Sequence, residues 1–259
     1  MICFAAIAPH PPIIIPGIGR GKNLKRVQKT ILAMERLRQD LEKAKPDTII
    51  IVSPHAPPEF DSFGINSQEK LKGDLLDFGL AKKFEFSNDL EIAGKIRDSA
   101  PDEKISAHFR ESALDHGALV PLYYLTKNIK PKIVHLSFTF LDYSVHFRYG
   151  KIIGNVSRDD SKKIAIIASG DLSHRLIPGA PAGYSARGKE FDRTIIEHLE
   201  NRKIKKILAL DKALVEEAGE CGLRSIIMLL GILSGQRYDF NLLNYEGPFG
   251  VGYMVGRMF

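Results

Sequence analysis

The sequence has no tryptophan and only two cysteines in 259 residues. Cys3 and Cys221 cannot build a disulfide framework or a Cys-x-x-Cys pair, and free thiols point to a reducing compartment. No apolar run approaches the roughly 18 residues that a membrane helix requires, so no membrane partner is expected. The apolar start, Ile2 to Ala8, has no basic segment ahead of it and is broken by Pro9, Pro11 and Pro12. That is not the layout of a secretion signal, and a cytoplasmic location is the expectation. Charge of one sign is also scarce: 37 Lys+Arg against 31 Asp+Glu leaves a net +6. Short basic groups such as Arg202, Lys203, Lys205 and Lys206 read as a solvated helix face, and no nucleic-acid partner is expected. Internal repeats, low-complexity segments and linkers are missing as well.

What is there suits a globular chain, with 44% apolar and 26% charged residues. A chain of this length buries roughly three-quarters of its unfolded surface, enough for one domain over residues 1–259. Four short apolar runs, Ile2–Ala8, Thr48–Ser53, Lys132–Ser137 and Lys163–Ser169, are β-branched and do not alternate. Strands buried on both faces read this way. Leu24, Val27, Ile31, Met34, Leu37 and Leu41 form one stripe on a helix expected from Gly21 to Lys43. Further helices are expected at Asn88–Ser99, Gly117–Thr126, Tyr143–Val156, Ser185–Asn201 and Cys221–Leu233. Arg237–Glu246 and Val251–Met258 read as a hairpin joined through Gly247, Pro248, Phe249 and Gly250. The fold class is α/β: a mostly parallel central sheet flanked by helices, with a C-terminal hairpin. An unpaired hairpin edge tends to be covered, so a homo-oligomer is expected.

Ligands of such sheets sit beyond the carboxyl ends of the strands. Ala8-Pro9-His10-Pro11-Pro12 follows the first strand and Ser53-Pro54-His55-Ala56-Pro57-Pro58 the second. Proline fixes φ and restricts the residue before it, so each histidine sits on a stiff extended turn. Two matched histidines held this way suit a shared metal; the plainer alternative is that each only ends a strand. Gly170-Asp171-Leu172-Ser173-His174 follows the fourth strand and offers a histidine for acid/base work or for local hydrogen bonding alone. Asp115-His116-Gly117 opens a helix, with Asp115 placed to cap it. For a third ligand the sequence offers Glu220, which could equally complement a helix dipole, and Cys221, whose pKa a helix N-terminus would lower. Glu246 is a further carboxylate. His108, His135, His146 and His198 read as packing or surface residues. Ile13, Leu172, Phe249 and Tyr253 are expected walls of an apolar pocket, though core packing explains them as well.

Two phosphate-loop patterns fail. Gly17-Ile18-Gly19-Arg20-Gly21-Lys22 has Pro16 and Asn23 where a Walker loop needs Gly and Ser or Thr. The dinucleotide fingerprint needs Gly at Lys22. Ser169 lacks the glycine two residues earlier that a nucleophile elbow requires.

In chain order, Pro9-His10-Pro11-Pro12, Ser53-Pro54-His55, Asp115-His116-Gly117, Gly170-Asp171-Leu172-Ser173-His174 and the Gly222-to-Gly231 helix resemble the class III extradiol ring-cleavage dioxygenases. This LigB superfamily includes the catalytic subunit of protocatechuate 4,5-dioxygenase, and the Memo proteins share its fold. The resemblance spans nearly the whole chain. It implies a non-haem Fe(II) enzyme that uses O2 to open a small aromatic substrate, a catechol or aminophenol, beside its adjacent substituents. It further implies His10 and His55 as metal ligands, His174 as acid/base, and His116 as a second pocket histidine. Asp171 joins these as a catalytic residue, with Asp115, Pro11 and Tyr253 as substrate contacts. The dioxygenases place a glutamate at the start of the last helix. Here Gly222 stands nearest that position, Glu220 lies two residues earlier, and Cys221-Gly222 matches the Memo-like pattern. Three readings follow: an Fe(II) dioxygenase with Glu220 as third ligand, a Memo-like metal, redox or protein-binding protein using Cys221, and a hydrolase with a zinc-bound water and His174 as base.

Overall fold

The computed structural model describes residues 1–57, 60–102 and 105–259; Pro58, the last residue of the second Pro-His motif in the sequence, lies outside them. The chain begins β1 (Ile2–Ala8), α1 (Gly21–Arg26), α2 (Gln28–Ala44), β2 (Thr48–Val52), β3 (Ser62–Asn66), β4 (Lys70–Leu75) and β5 (Leu80–Ser87). It continues α3 (Leu90–Asp98), β6 (Pro101–Asp102), β7 (Ile105–Arg110), α4 (His116–Leu125), β8 (Lys132–Leu136), α5 (Tyr143–Asp159) and β9 (Ile164–Ser169). The last third is α6 (Ala186–Glu200), α7 (Ile204–Leu208), α8 (Lys212–Ala218), α9 (Leu223–Ile232), β10 (Asn241–Glu246) and β11 (Tyr253–Arg257).

Among the described residues, nine strands form one sheet in the order β10-β11-β1-β9-β2-β8-β3-β7-β6. Its centre, β1-β9-β2-β8, is wholly parallel. These are the four apolar runs, and each residue of β2 and β9 is buried, as strands covered on both faces must be. The flanks are mixed: β3 runs antiparallel to β8, and the β10–β11 hairpin closes the other side antiparallel to β1. One face packs under α2 and α4 through Met34, Leu37, Leu41, Leu119 and Leu122. The other packs under α3, α5, α6 and α9 through Ile96, Tyr149, Phe191, Ile195 and Leu229. β4 and β5 stand apart as a two-stranded ribbon. Among the described residues no helix is long and apolar enough to cross a membrane.

The single helix expected from Gly21 to Lys43 is two helices. Val27 leaves helical geometry at φ −107°, ψ 17°, and the chain restarts with the Thr30 N–H and hydroxyl donating to the Glu246 carboxylate at 2.9 and 2.6 Å. The apolar stripe carries across the break, so periodicity alone does not reveal it. Helices α5 and α9 cross backbone to backbone. A Cβ at Gly150 would meet the Met228 carbonyl oxygen at 2.2 Å, and one at Gly231 the Phe147 carbonyl oxygen at 2.2 Å. This crossing fixes α9, whose start faces the site.

Candidate metal centre

Three parallel strands deliver their following loops to one edge. The pairing of β1 with β9 runs to Ala8 beside Ser169, and the Gly170 N–H then donates to the Ala8 carbonyl at 3.1 Å. The His10 N–H donates to Asp171 Oδ1 at 3.0 Å, tying the first loop to the third. A Cβ at Gly170 would sit 2.2 Å from the Gly222 Cα, so only glycine lets the third loop touch the start of α9. Asp115 caps α4 by accepting from the Ala118 N–H at 3.2 Å, which places His116 at the first helical position.

The three histidines meet. Nε2 of His10 and Nε2 of His55 are 3.1 Å apart, the His55 and His116 rings stack at 4.3 Å, and ligand atoms of all three lie within 4.8 Å of one another. The His10 tautomer is set by its neighbour. Ser169 Oγ lies 2.5 Å from the Gly117 carbonyl oxygen, which can only accept, so the hydroxyl proton is committed there. Ser169 Oγ must then accept from Nδ1–H of His10 at 2.9 Å, leaving the Nε2 lone pair facing His55. Two imidazole nitrogens each about 2.0–2.1 Å from one ion stand about 2.9–3.4 Å apart, and the observed pair falls in that range. Cys221 Sγ lies 3.5 Å from the same Nε2, and Asp171 Oδ2 approaches it at 3.9 Å.

Electrostatics favour uncharged donors. Burial holds His10 well below the usual histidine range, with His55 and His116 adding to the effect. Burial lowers His55 as well and brings His116 to about 4. All three rings are therefore neutral at pH 7 with lone pairs available. Burial would raise Asp115, but the His135 Nε2–H bond at 3.2 Å and the Ser53 hydroxyl at 2.5 Å outweigh it and hold the carboxyl low. The donor set of neighbouring neutral imidazoles fits a divalent transition metal.

Residues 4–256 match the family described as the catalytic LigB subunit of aromatic ring-opening dioxygenase. The chain belongs to this LigB family. A Clostridium acetobutylicum protein is 35% identical over 97% of the chain, which spans only 56% of that relative's length. The Escherichia coli 3,4-dihydroxyphenylacetate 2,3-dioxygenase is 24% identical over 92% of both chains. The 2-aminophenol 1,6-dioxygenase beta subunit of a Pseudomonas species is 22% identical over 82% of this chain and 78% of its own. The crystal structure of an uncharacterized Escherichia coli K12 protein superposes with a TM-score of 0.70 at 16% identity, covering 99% of each chain.

In this LigB chain, the expected pair His10 and His55 meets His116 rather than Glu220. Glu220 Oε2 instead accepts from the Leu223 N–H at 2.5 Å, so its carboxylate caps the start of α9. Glu246 is occupied by Thr30. Burial pushes the Cys221 thiol well up, with Asp171 and Glu220 adding to it; the helix start does not lower it as expected. Asp171 is pushed up to about 7, mainly by burial, and its carboxyl positions the His10 backbone. His174, lowered by burial, lies within electrostatic reach of His55. Asp115 turns onto Ser53, Ala118 and His135. Pro11 caps a short 3-10 turn directly after His10. Leu172 and Tyr253 belong to the core, and Phe249 stacks on Arg26 at 4.1 Å.

Two participants escaped the sequence. His135 sits mid-strand in an apolar run and reads as packing, yet its ring holds Asp115. Phe78, in the turn of the β4–β5 ribbon, lies 5.1 Å from the His116 ring. Its ribbon alternates charged and apolar residues, a pattern that marks a strand but not its proximity to the site.

Proposed function

We propose that this chain is a metal-dependent ring-opening dioxygenase that acts with O2 on a small aromatic compound bearing adjacent hydroxyl groups, or a hydroxyl and an amino group. Supporting it are the family match and the facing nitrogens of His10 and His55. His10, His55 and His116 would hold Fe(II). Fe(II) held there would supply the means of passing charge between the aromatic ring and O2. His174, neutral at pH 7, takes a proton from a ring hydroxyl at an imidazole nitrogen and returns it later. Ser169 and Asp115 act through other groups: one fixes the His10 tautomer, the other the start of α4 and so His116. Phe78 sets an apolar ring beside His116, with the two ring centroids 5.1 Å apart. We further propose that copies of the chain associate through the β10 edge, in a cytoplasmic setting.

A second reading rests on Cys221. Its sulfur stands 3.5 Å from His10 Nε2, a spacing that fits imidazole and thiolate on one ion. A cation deprotonates a thiol that burial otherwise keeps protonated, and a sulfur ligand favours zinc or copper. This reading makes the chain a Memo-like metal or redox protein. Anaerobic Fe(II) loading with metal counting separates the two. Stoichiometric iron that is lost in His10→Ala and kept in Cys221→Ser, with O2 uptake on catechol, supports the dioxygenase. Binding that requires Cys221, with no O2 uptake, supports the Memo-like role.

A further inference from the structure

A groove of about 670 Å3 lies between α6 and β10, apart from the histidine cluster. Its volume falls in the range of small-molecule sites, about 300–1,000 Å3. Leu176, Ile177 and Ile196 give it aliphatic walls, with the Tyr245 ring beside them. These walls are fixed before any ligand arrives. The Tyr245 hydroxyl donates to Asp192 Oδ2 at 2.6 Å, and Oδ1 of the same buried carboxylate accepts from the Ser173 N–H at 2.8 Å. The Leu176 N–H donates to the Gly250 carbonyl at 3.0 Å. A Cβ at Gly247 would lie 2.4 Å from Leu176 Cδ1, so only glycine lets that side chain reach the groove. A preformed site of this kind spares a ligand the cost of ordering it.

Charge sets the polarity of the groove. Lys189 and Arg193 both line it, one helical turn apart on one face of α6. The ion pairs of this helix form elsewhere: Arg187 meets Glu190, Asp211 and Glu217, and Glu197 meets Lys203. Among the described residues neither Lys189 nor Arg193 forms one. Glu197 and Glu200 line the groove farther along α6, and Lys203 meets only the first of them. Lys189 and Glu200 are separated by about 16 Å of helix, at about 1.5 Å per residue. The groove is therefore positive at one end, aliphatic between and acidic at the other. That gradient accepts one carboxylate and repels a second.

We propose that this groove is a second ligand site, for an amphipathic monocarboxylate whose head rests on Lys189 and Arg193 and whose aliphatic body lies along Leu176, Ile177 and Ile196. The two cations give charge-assisted hydrogen bonds to the head, and removal of the chain from water supplies the rest. Residues 173–177 form a wall shared with the metal centre. His174 lies within electrostatic reach of His55, while Leu176 and Ile177 touch the occupant of the groove. The site stands whether or not the chain opens aromatic rings.

The test titrates the metal-free protein with octanoate, octanedioate and 1-octanol by calorimetry, and follows amide hydrogen exchange by mass spectrometry. Octanoate should bind about 10-fold more tightly than either of the others, the low end for hydrogen bonds to a charged group. It should also slow exchange in residues 173–177 and 245–247. Lys189 and Arg193 are exposed, and replacing both, Lys189→Glu with Arg193→Glu, should lower octanoate to the affinity of the alcohol and leave the alcohol unchanged. No binding, equal affinity for the three ligands, or a preference for octanoate that survives both substitutions overturns the site. Slowed exchange confined to other segments does the same. Protection of residues 173–177 and 245–247 that grows with protein concentration, and not with octanoate, assigns the groove to a second copy of the chain and overturns the ligand. Should the doubly substituted protein fail to fold, Arg193→Gln decides: it should weaken octanoate alone, and unchanged affinity for octanoate overturns the site.

Discussion

Ser169→Ala is the sharpest perturbation of the metal centre, because it removes one oxygen that touches no ion. Ser169 is fully buried, and its hydroxyl donates to the Gly117 carbonyl and accepts from His10 Nδ1–H. Without it, two buried polar groups lose their partner, at about 1–3 kcal/mol each. Partial relaxation brings the expected loss of metal-free stability to about 2–4 kcal/mol. The His10 ring also loses what fixes its tautomer, and such supporting bonds are worth about 10- to 100-fold in metal affinity. The assay pairs urea unfolding of the metal-free protein with anaerobic Fe(II) competition against a chelator. Both quantities should fall together. A variant that is less stable but binds Fe(II) as tightly as wild type would refute the tautomer argument and reduce Ser169 to a packing residue.

Three further outcomes follow from groups away from the site. The buried Tyr149 hydroxyl has no hydrogen-bond partner among the described residues, so Tyr149→Phe should leave stability unchanged or raise it by about 1 kcal/mol, seen as a Tm about 2–4 °C higher; a clear loss would mean that the hydroxyl is satisfied. Asp89 is fully buried, takes the Thr48 hydroxyl at 2.5 Å and Lys162 Nζ at 3.0 Å, and caps α3 through the Ile92 N–H. Asp89→Ala should therefore cost about 3 kcal/mol, measured by denaturant unfolding, and a change under 1 kcal/mol would contradict the assignment. Burial holds His146 at about 4, so between about pH 4 and 6.5 the unfolded chain binds a proton that the folded chain does not. Its contribution is full above that window and is lost as pH falls through it. His146→Gln should flatten the pH dependence of unfolding free energy there by up to about 1.4 kcal/mol per pH unit, and an unchanged slope would rule this out.

The parallel centre of the fold was legible because its strands are buried on both faces and so read as unbroken apolar runs. The ribbon β4–β5 was not, since Lys72, Lys82, Lys83 and Glu85 leave it half polar. Nor was β3, a five-residue buried strand interrupted by Gly64 and bounded by polar Ser62 and Asn66. The break at Val27 hid because the apolar stripe of α1 continues into α2; the carboxylate that caps the restart comes from Glu246, more than 200 residues away. At the site, proline framing exposed His10 and His55, and the Asp115 cap placed His116 at a helix start. Distance along the chain concealed the rest. Nothing local to His135 says that β8 lies beside β2 and brings its ring to Asp115. Glu220 illustrates the converse: its spacing suggests a ligand, while the unpaired N–H groups of α9 claim its carboxylate first.

On the proposed function, the histidine cluster supports oxygen insertion into an aromatic ring. The most direct measurement gives the Fe(II)-loaded protein 3,4-dihydroxyphenylacetate under 18O2 and analyses the ring-opened product by mass spectrometry. Two labelled oxygen atoms in that product, and none formed by His10→Ala, is the predicted result. Stoichiometric iron with no ring-opened product, across acidic and neutral catechols and 2-aminophenol, would contradict the account.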